Sequence, residues 1–197
     1  MNRQVKLSDI ASVRLGKPFK TAVEDKLDKG DVFYLPIGDI NTGKILKESS
    51  FARLVSEFGD ERYFVEPLSI LLPLRGLAMN SLMWKNNLSL PVLTSSHVAI
   101  IDCDVQKVNP FYLQWYLNSH AVKKYFDSVT EGSNIKKLTK SILGATPIHL
   151  PNMDVQERIG KIHENWLEQK SIHEKIIENG DIYFNEVCYQ LSSGRVL

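Results

Sequence analysis

The chain has 197 residues, 43% of them hydrophobic, which is enough for one good core and excludes a largely disordered protein. No apolar run reaches the roughly 18 residues that span a bilayer, and the first residues lack the long apolar stretch of a secretory signal. Cys103 and Cys188 give neither a disulfide framework nor a metal-ligand spacing, so we expect a cytoplasmic protein.

The net charge of +1 divides unevenly along the chain. Residues 1–150 carry 19 Lys and Arg against 15 Asp and Glu, a balance of +4, whereas residues 151–197 carry 5 against 8, a balance of −3. The division falls at Pro151, where the hydrophobic pattern also changes. An anionic partner is therefore expected to prefer the first part. A balance of +4 over 150 residues is also ordinary, so charge alone leaves the partner open.

The first half of the chain indicates strands separated by turns. Apolar residues at helical spacing predict a short helix over residues 5–15, with Ser8 as its N-cap. The segment 38–44 is rich in Gly, Asn and Asp and predicts a turn. Apolar runs predict strands at residues 32–37 and 68–74, and two strands around a polar interruption within 90–101.

The next segment indicates short helices. Asn109 is the predicted N-cap of a helix with proline at its first position, and Ser119 is the predicted cap of a second helix. A third helix is predicted over residues 134–143, capped by Ser133 or Asn134. A strand in the stretch TPIHL then leads into a proline that stops the pattern.

Residues 152–197 form a second predicted part, dominated by one long helix over residues 154–191. Asp154 and Glu157 resemble a capping box, and we favour a continuous helix over a break at Gly180. At about 1.5 Å per residue this helix is roughly 55 Å long, so part of it is expected to project or to pair with another helix. The predicted interface stripe consists of Ile159, Ile162, Trp166, His173, Ile176, Tyr183 and Val187. The predicted fold class is therefore α+β, with a β-rich domain over 1–151 followed by the helix.

The sequence lacks several common catalytic and cofactor-binding motifs. It has no Gly-x-Gly loop, no Walker A loop, no Asp/Asn-Pro-Pro-aromatic motif, no His-x-x-x-His and no Cys-x-x-Cys. Two Glu-x-Lys triplets, at 24–26 and 168–170, match half of a nuclease signature, but such triplets arise by chance in a charged chain. Ser96 and His97 are neighbours along a predicted strand, where side chains point to opposite faces. We therefore predict no catalytic residues and no metal ligands.

Several predicted turns carry groups suited to DNA. Lys and Arg neutralise phosphates, and Arg, Asn, Ser and His can match the donors and acceptors of base edges. Each of these turns, taken alone, is equally typical of a solvated surface, so the prediction depends on their meeting on one face. The candidate DNA-binding residues are Lys17, Lys20, Asn41, Lys44, Arg75, Asn80, Lys85, Ser96, His97, Ser133, Asn134, Lys136 and Lys137.

Six stretches in order resemble a target-recognition domain of the specificity (S) subunit of type I restriction–modification systems. The first stretch, VKLSDIASVRLGKPF, carries that family's Leu-x-Asp-Ile-Ala followed by Gly. The fifth stretch, IHLPNMDVQERI, carries the family's junction of Pro, Gln-Glu and Ile. None is specific by itself, and Leu191 stands where the family often has an aromatic residue. The stretches are VKLSDIASVRLGKPF, LPIGDINTGKI, LSILLPLRG, NPFYLQWYLNS, IHLPNMDVQERI and YFNEVCYQLSSGRVL.

The resemblance implies a non-catalytic subunit that reads one half of a bipartite double-stranded DNA target, with the long helix as a spacer. It implies docking to modification (methyltransferase) subunits and to a restriction subunit. No cofactor is expected in this chain; S-adenosylmethionine, ATP and Mg are expected in the partner subunits.

Most S subunits hold two recognition domains, whereas this chain carries one. It is therefore expected to be either a half-size subunit that forms a homodimer through its C-terminal helix or a fragment of a longer product. A twofold dimer would read a palindromic split target. Two other hypotheses stay open: an assembly or regulatory protein that no longer reads DNA, and the recognition half of a methyltransferase.

Overall fold

The protein is described from a computed structural model that covers residues 3–42, 48–76, 79–85, 88–130 and 137–194. The chain divides into two compact units, Met1–Gly160 and Lys161–Leu197. The strands are β1 (Arg3–Lys6), β2 (Ala11–Leu15), β3 (Val32–Leu35), β4 (Ala52–Leu54), β5 (Ile70–Pro73), β6 (Leu82–Met83), β7 (Val92–Thr94), β8 (Val98–Cys103) and β9 (Pro147–Leu150).

The α-helices are short except for the last. Short 3-10 turns join several of the strands. In the described part of the chain, no helix combines the length and apolar character needed to cross a bilayer. The helices are α1 (Ile37–Thr42), α2 (Pro110–Leu117), α3 (His120–Val129), α4 (Lys140–Gly144) and α5 (Met153–Ser192).

Strands β5 and β8 lie at the centre of the first unit. They belong to an antiparallel sheet of order β2-β8-β5-β6, while a second sheet has the order β4-β3-β7 with β3 and β7 parallel. A separate pair joins β1 to β9. The strands expected within 32–37, 68–74 and 90–101 are therefore confirmed, and so is the α+β class.

The central sheet is buried on both faces, and its side chains alternate between two cores. Ile70 and Ile101 belong to the core shared with α2, α3 and α4. Leu71 and Ile100 belong to the core shared with β3 and β7. All four are fully buried. Burial of each such side chain contributes roughly 1.5–3 kcal/mol, which explains the continuous apolar run of β5.

The predicted helix over residues 5–15 is wrong. The segment forms β1, a 3-10 turn over Leu7–Asp9 and β2. Leu7 and Ile10 are buried as their pattern suggested, but β2 pairs with β8 along five residues, from Ala11 to Leu15. Long-range pairing therefore overrides the local periodicity, and Ser8 caps no helix.

Two predictions between strands also differ from the structure. The predicted turn over 38–44 is occupied up to Thr42 by helix α1, and residues 43–47 lie outside the described part. The predicted helix over 134–143 is confirmed for residues 140–143 and wrong for residues 137–139. Lys137 lies in an extended bridge, and the helix starts only at Lys140, with Thr139 as its N-cap. Ser133 and Asn134 lie outside the described residues.

The predicted caps of α2 and α3 are confirmed. The Asn109 side chain accepts hydrogen bonds from the backbone N–H groups of Phe111 and Tyr112, and Pro110 occupies the first helical position. The Ser119 hydroxyl accepts from the N–H of Val122. Each such cap contributes about 1 kcal/mol to helix stability.

Helix α5 is continuous over 40 residues, so Gly180 does not end it. Its length is about 60 Å at 1.5 Å per residue. The predicted capping box is wrong, because the helix begins one residue earlier. The Asn152 side chain, not Asp154, accepts the N–H of Val155 at 3.0 Å.

The first turns of α5 are fastened to the start of α2. The buried Gln156 side chain accepts the Asn109 N–H at 2.9 Å and donates to the Pro151 carbonyl at 2.9 Å. Gly160 packs so closely that a Cβ there would lie 2.8 Å from Asn109 Oδ1 and 3.2 Å from Phe111 Cβ. A glutamine and a glycine in this stretch are thus explained by contact with one neighbouring helix.

We expect Gly160→Val to lower the free energy of unfolding by roughly 1–3 kcal/mol, because the added methyl groups push against the Asn109 cap. Gly180→Val is the matched control. A Cβ at Gly180 meets nothing within 4 Å, so its effect should stay within about 0.5 kcal/mol. Urea unfolding followed by circular dichroism measures both. Equal losses would contradict the close-packing account.

Candidate nucleic-acid interface

The turn between β7 and β8 organises one edge of the first unit. Ser95 forms a parallel bridge with Lys17; the Lys17 N–H donates to the Thr94 carbonyl at 2.8 Å, and the Ser96 N–H donates to the Lys17 carbonyl at 2.8 Å. A Cβ on Gly16 would stand 2.4 Å from the carbonyl oxygens of Thr94 and Ser95. Only glycine permits this approach, so Gly16 fixes the path of the following lysine-bearing loop.

Three basic side chains from distant segments meet beside this turn. Arg75 follows β5, His97 ends the turn, and Lys137 pairs with Arg75 in an antiparallel bridge. Arg75 Nη1 lies 3.5 Å from His97 Nε2. All three side chains are exposed, and no ion pair to a carboxylate is found for them within the described residues. We call Arg75, His97 and Lys137 the basic cluster.

The basic cluster borders a shallow hollow of about 310 Å³. Phe19 and Tyr34 meet edge to face in its lining, with ring centroids 5.5 Å apart. The hydroxyl-bearing Ser95 and Ser96 also line it, and His97 belongs to both features. Burial raises the pKa of Tyr34, and its hydrogen bond with Ser95 opposes this shift. We call this feature the aromatic hollow; it offers flat apolar faces next to polar groups.

The electrostatics of the basic cluster favour an anion. Partial burial lowers the pKa of His97 below its ordinary value of 6.5, and the positive charges of Arg75 and Lys137 lower it further. The imidazole is therefore neutral at pH 7. Like charges held side by side repel each other, and an anion placed among them relieves that repulsion.

Lys17 has a different environment from the other candidates. Its ammonium lies 2.6 Å from Asp60 and 2.9 Å from Glu57, and only 12% of its side chain is exposed. Burial disfavours the charged form, but these two carboxylates outweigh burial and raise the pKa of Lys17 above its ordinary value of 10.5. The Lys17 ammonium is thus paired within the protein, with the carboxylates of one turn.

The remaining candidates are spread over the first unit. Lys20 is exposed and follows Phe19 of the aromatic hollow; Asn80 is half-buried in the segment before β6. Asn41 lies in α1, where its Oδ1 is buried and has no hydrogen-bond partner among the described residues. Lys85 lies over the Phe111 ring at 4.5 Å, beside the start of α2. The candidates Lys44, Ser133, Asn134 and Lys136 lie outside the described part of the chain.

The two aromatic residues that line the aromatic hollow were not among the sequence candidates. Phe19 lies between Lys17 and Lys20, and this interleaving of an aromatic residue with cations was the available signal. Tyr34 lies in an apolar run that gave no sign of exposure. Its position became apparent only through the pairing of β3 with β7, which brings it opposite Leu93 and close to the 95–97 turn.

The second unit carries an exposed apolar face along α5. Ile162 is 70% exposed and Trp166 is 58% exposed, followed in the stripe by Ile176 and Tyr183, also exposed. Ile159 differs, because it packs against the core of the first unit. His173 is exposed and Val187 half-buried. The sequence stripe omitted further exposed apolar residues that fall on the same face at steps of three, four or seven, namely Ile177, Phe184 and Leu191.

The family model described as the type I restriction modification DNA specificity domain matches residues 2–180. The chain belongs to this family. No curated protein matches the sequence. The resemblance drawn from the six sequence stretches is therefore confirmed at the level of the family.

Solved structures show that the specificity domain has the fold of S subunits. A type I S subunit from M. genitalium is matched with a TM-score of 0.66 at 14% identity, over 98% of this chain and 46% of that chain. The HsdS subunit from Thermoanaerobacter tengcongensis gives 0.60 at 17% identity, over 89% and 39%. A chain of a type I R-M system, solved for complex assembly and conformational transition, gives 0.66 at 13% identity, over 94% and 43%. The specificity domain spans less than half the length of these chains.

We expect Lys17→Met to lower the free energy of unfolding of the specificity domain by about 3 kcal/mol at pH 7, since it leaves the buried Asp60 without its partner charge. In the native protein this stabilisation is complete below about pH 10.5 and is lost as the pH rises through the raised pKa of Lys17. Lys20→Met, an exposed neighbour, is the control and should change stability by less than about 0.5 kcal/mol. Thermal or urea unfolding distinguishes the two, and equal effects would refute a structural role for Lys17.

Proposed function

We propose that this chain is the DNA-reading part of a type I specificity subunit and that its first unit binds one half of a two-part, double-stranded target. The observation that carries the proposal is the basic cluster, which brings together two cations, Arg75 and Lys137, and the imidazole of His97 from three separate segments, with no ion pair to a carboxylate in the described residues. Membership of the specificity family supports the same reading.

The chemistry of this edge suits a duplex. Arg75 and Lys137 can hold phosphate oxygens, which position a protein on DNA without reading its sequence. Ser95 and Ser96 present hydroxyl groups that can donate to or accept from base edges. Phe19 and Tyr34 supply flat apolar surface for a sugar, a thymine methyl group or a base. Lys20, next to Phe19 in the chain, extends the positive charge along the same loop.

We further propose that the chemistry of modification and cleavage belongs to other polypeptides. A modification subunit would bring S-adenosylmethionine, and a restriction subunit would bring ATP and Mg. The exposed apolar face of α5 supports docking of a second helix, contributed by another copy of this chain or by the modification subunit. A cytoplasmic location would follow from a role on chromosomal DNA.

The DNA-binding proposal is tested with Arg75→Ala and Lys137→Ala. Each removes one phosphate contact, so each should weaken binding to a duplex about tenfold at low salt, as expected for a charge-assisted hydrogen bond of roughly 1.5 kcal/mol. Each should also reduce the slope of log K against log salt by about 1. Fluorescence anisotropy over a salt series measures both quantities.

Lys123→Ala is the matched control, because it removes an exposed lysine from α3. It should leave the affinity within about twofold. Affinities that stay at the native value in both cluster variants, with the circular dichroism spectrum intact, would remove the basic cluster from the DNA-binding surface.

The role of α5 is tested with Ile162→Asp. A charge placed on the apolar face should weaken association by roughly 2–3 kcal/mol, or about 30- to 150-fold, because it replaces burial of an isoleucine by burial of a carboxylate. Lys175→Asp makes a charge change on the opposite side of the same helix and should be tolerated. Light scattering on the purified chain and co-purification with a modification subunit report association. Native association of the Ile162 variant in both assays would exclude this face as the interface.

A further inference from the structure

We propose that His97 is a proton-linked phosphate contact, neutral in the unbound protein and protonated when a DNA phosphate enters the basic cluster. This inference rests on the proposed function and adds a form of regulation to it: DNA binding by this chain takes up a proton and strengthens as the pH falls. Arg75 and Lys137 supply the permanent charges, and His97 supplies the charge that depends on pH.

The backbone fixes the three groups side by side. The Leu74 N–H donates to the His97 carbonyl at 2.8 Å, and the Leu138 N–H donates to the Leu74 carbonyl at 2.9 Å. Three neighbouring extended segments therefore run past one another, and the bridge between Arg75 and Lys137 continues their pairing. The spacing of the basic cluster thus depends on main-chain hydrogen bonds rather than on mobile side chains.

The contact between the Arg75 and His97 side chains favours one protonation state of His97 in the unbound protein. A guanidinium has hydrogen-bond donors only. Its approach to 3.5 Å from His97 Nε2 is a hydrogen bond only if that nitrogen is the unprotonated acceptor, with the proton on Nδ1. A protonated His97 would instead point an N–H group at the guanidinium. The unbound arrangement thus favours a neutral imidazole.

The other charged and titratable groups around the turn do not reverse this preference. Lys17 reaches the turn through its backbone, but its ammonium is paired with Asp60 and Glu57. Tyr34 faces the turn through Ser95, and its raised pKa keeps the phenol neutral near pH 7. Among the described residues, the two groups acting electrostatically on His97 are Arg75 and Lys137, both positive.

A phosphate reverses the balance. One of its oxygens placed between Arg75 and His97 accepts an N–H from each, so Nε2 must carry a proton. A neutral imidazole can move its proton from Nδ1 to Nε2, but the adjacent negative charge favours the imidazolium, which carries a second proton on the ring. That proton comes from solvent, and no bond of the DNA is made or broken. The pKa of His97 is lowered in the unbound protein and rises next to the anion, so affinity increases as the pH falls across the interval between the two values. Full uptake of one proton changes affinity about tenfold per pH unit at the most.

The test measures binding of a fluorescent duplex of mixed sequence between about pH 5.5 and 8, at about 50 mM salt, by the native chain and by His97→Gln. Glutamine keeps an acceptor for Arg75 but cannot be protonated. We expect the native affinity to rise several-fold toward acid pH, and the variant to lose most of that rise while binding within about threefold of the native chain at pH 8. His149→Gln, which changes another exposed histidine of the first unit, should keep the native slope.

Two further measurements make the result decisive. Proton uptake is obtained from calorimetry in buffers of different ionisation enthalpy, and the imidazole signal of His97 in the native protein is titrated by NMR with and without the duplex. The second measurement needs no variant, so it holds even if His97→Gln fails to fold. A pKa of His97 that does not rise on duplex binding would overturn the inference.

The outcomes separate this inference from the function on which it rests. Equal pH slopes for the native chain and the glutamine variant, with duplex binding retained, overturn proton linkage and leave DNA binding standing. No duplex binding at any pH overturns both. Inorganic phosphate is the last ligand to be tested. We expect it not to saturate the basic cluster below about 10 mM. Tight binding of free phosphate that the duplex does not displace would assign the basic cluster to a small anion instead of DNA.

Discussion

The pairing of β5 with β8 is the constraint on which the first unit depends. Its register places Ile70 opposite Ile101 and Pro73 opposite Val98, and it separates the side chains of both strands into two cores. A slip by one residue would send every side chain to the opposite face, so the two cores together hold the register. The same register continues into the hydrogen bond from Leu74 to His97, and it thereby places Arg75 beside His97. Interior packing thus determines the geometry of an exposed cluster.

Glycine and glutamine residues occur at two places where segments of the chain approach each other closely. Gly16 lets the chain pass against the carbonyl oxygens of the 95–97 turn, which brings Phe19 to the aromatic hollow. Gly160 and Gln156 do the same where α5 begins, with the glutamine amide bonded to two backbone groups at once. At both places, neighbouring groups of the chain occupy the space that a larger side chain would fill. The positions of the surface groups follow from these contacts.

Much of the fold could be predicted from the sequence, because local signals and tertiary structure agreed there. The caps at Asn109 and Ser119 were visible as residue types in the right place, and the apolar run of β5 was long enough to be unambiguous. The prediction for the N-terminal segment was wrong, because three apolar residues at helical spacing fit a strand, a turn and a second strand equally well. Only the distant pairing of β2 with β8 decides between these readings.

The candidate site was harder to predict for the same reason. The residues of the basic cluster were each recognisable as charged turn residues, but their convergence depends on pairing between segments that lie 22 to 62 positions apart. Lys17 looked identical to them in sequence, and its partners, the buried Asp60 and the exposed Glu57, lie some 40 positions away. Which lysines are available to a ligand is therefore a property of the fold.

The basic cluster lies outside both cores, at the ends of strands whose interior residues do the packing. Replacing Arg75, His97 or Lys137 during evolution would therefore cost little folding free energy, and the scaffold would survive while its ligand preference drifted. A new ligand preference therefore needs only a few surface substitutions and no new fold.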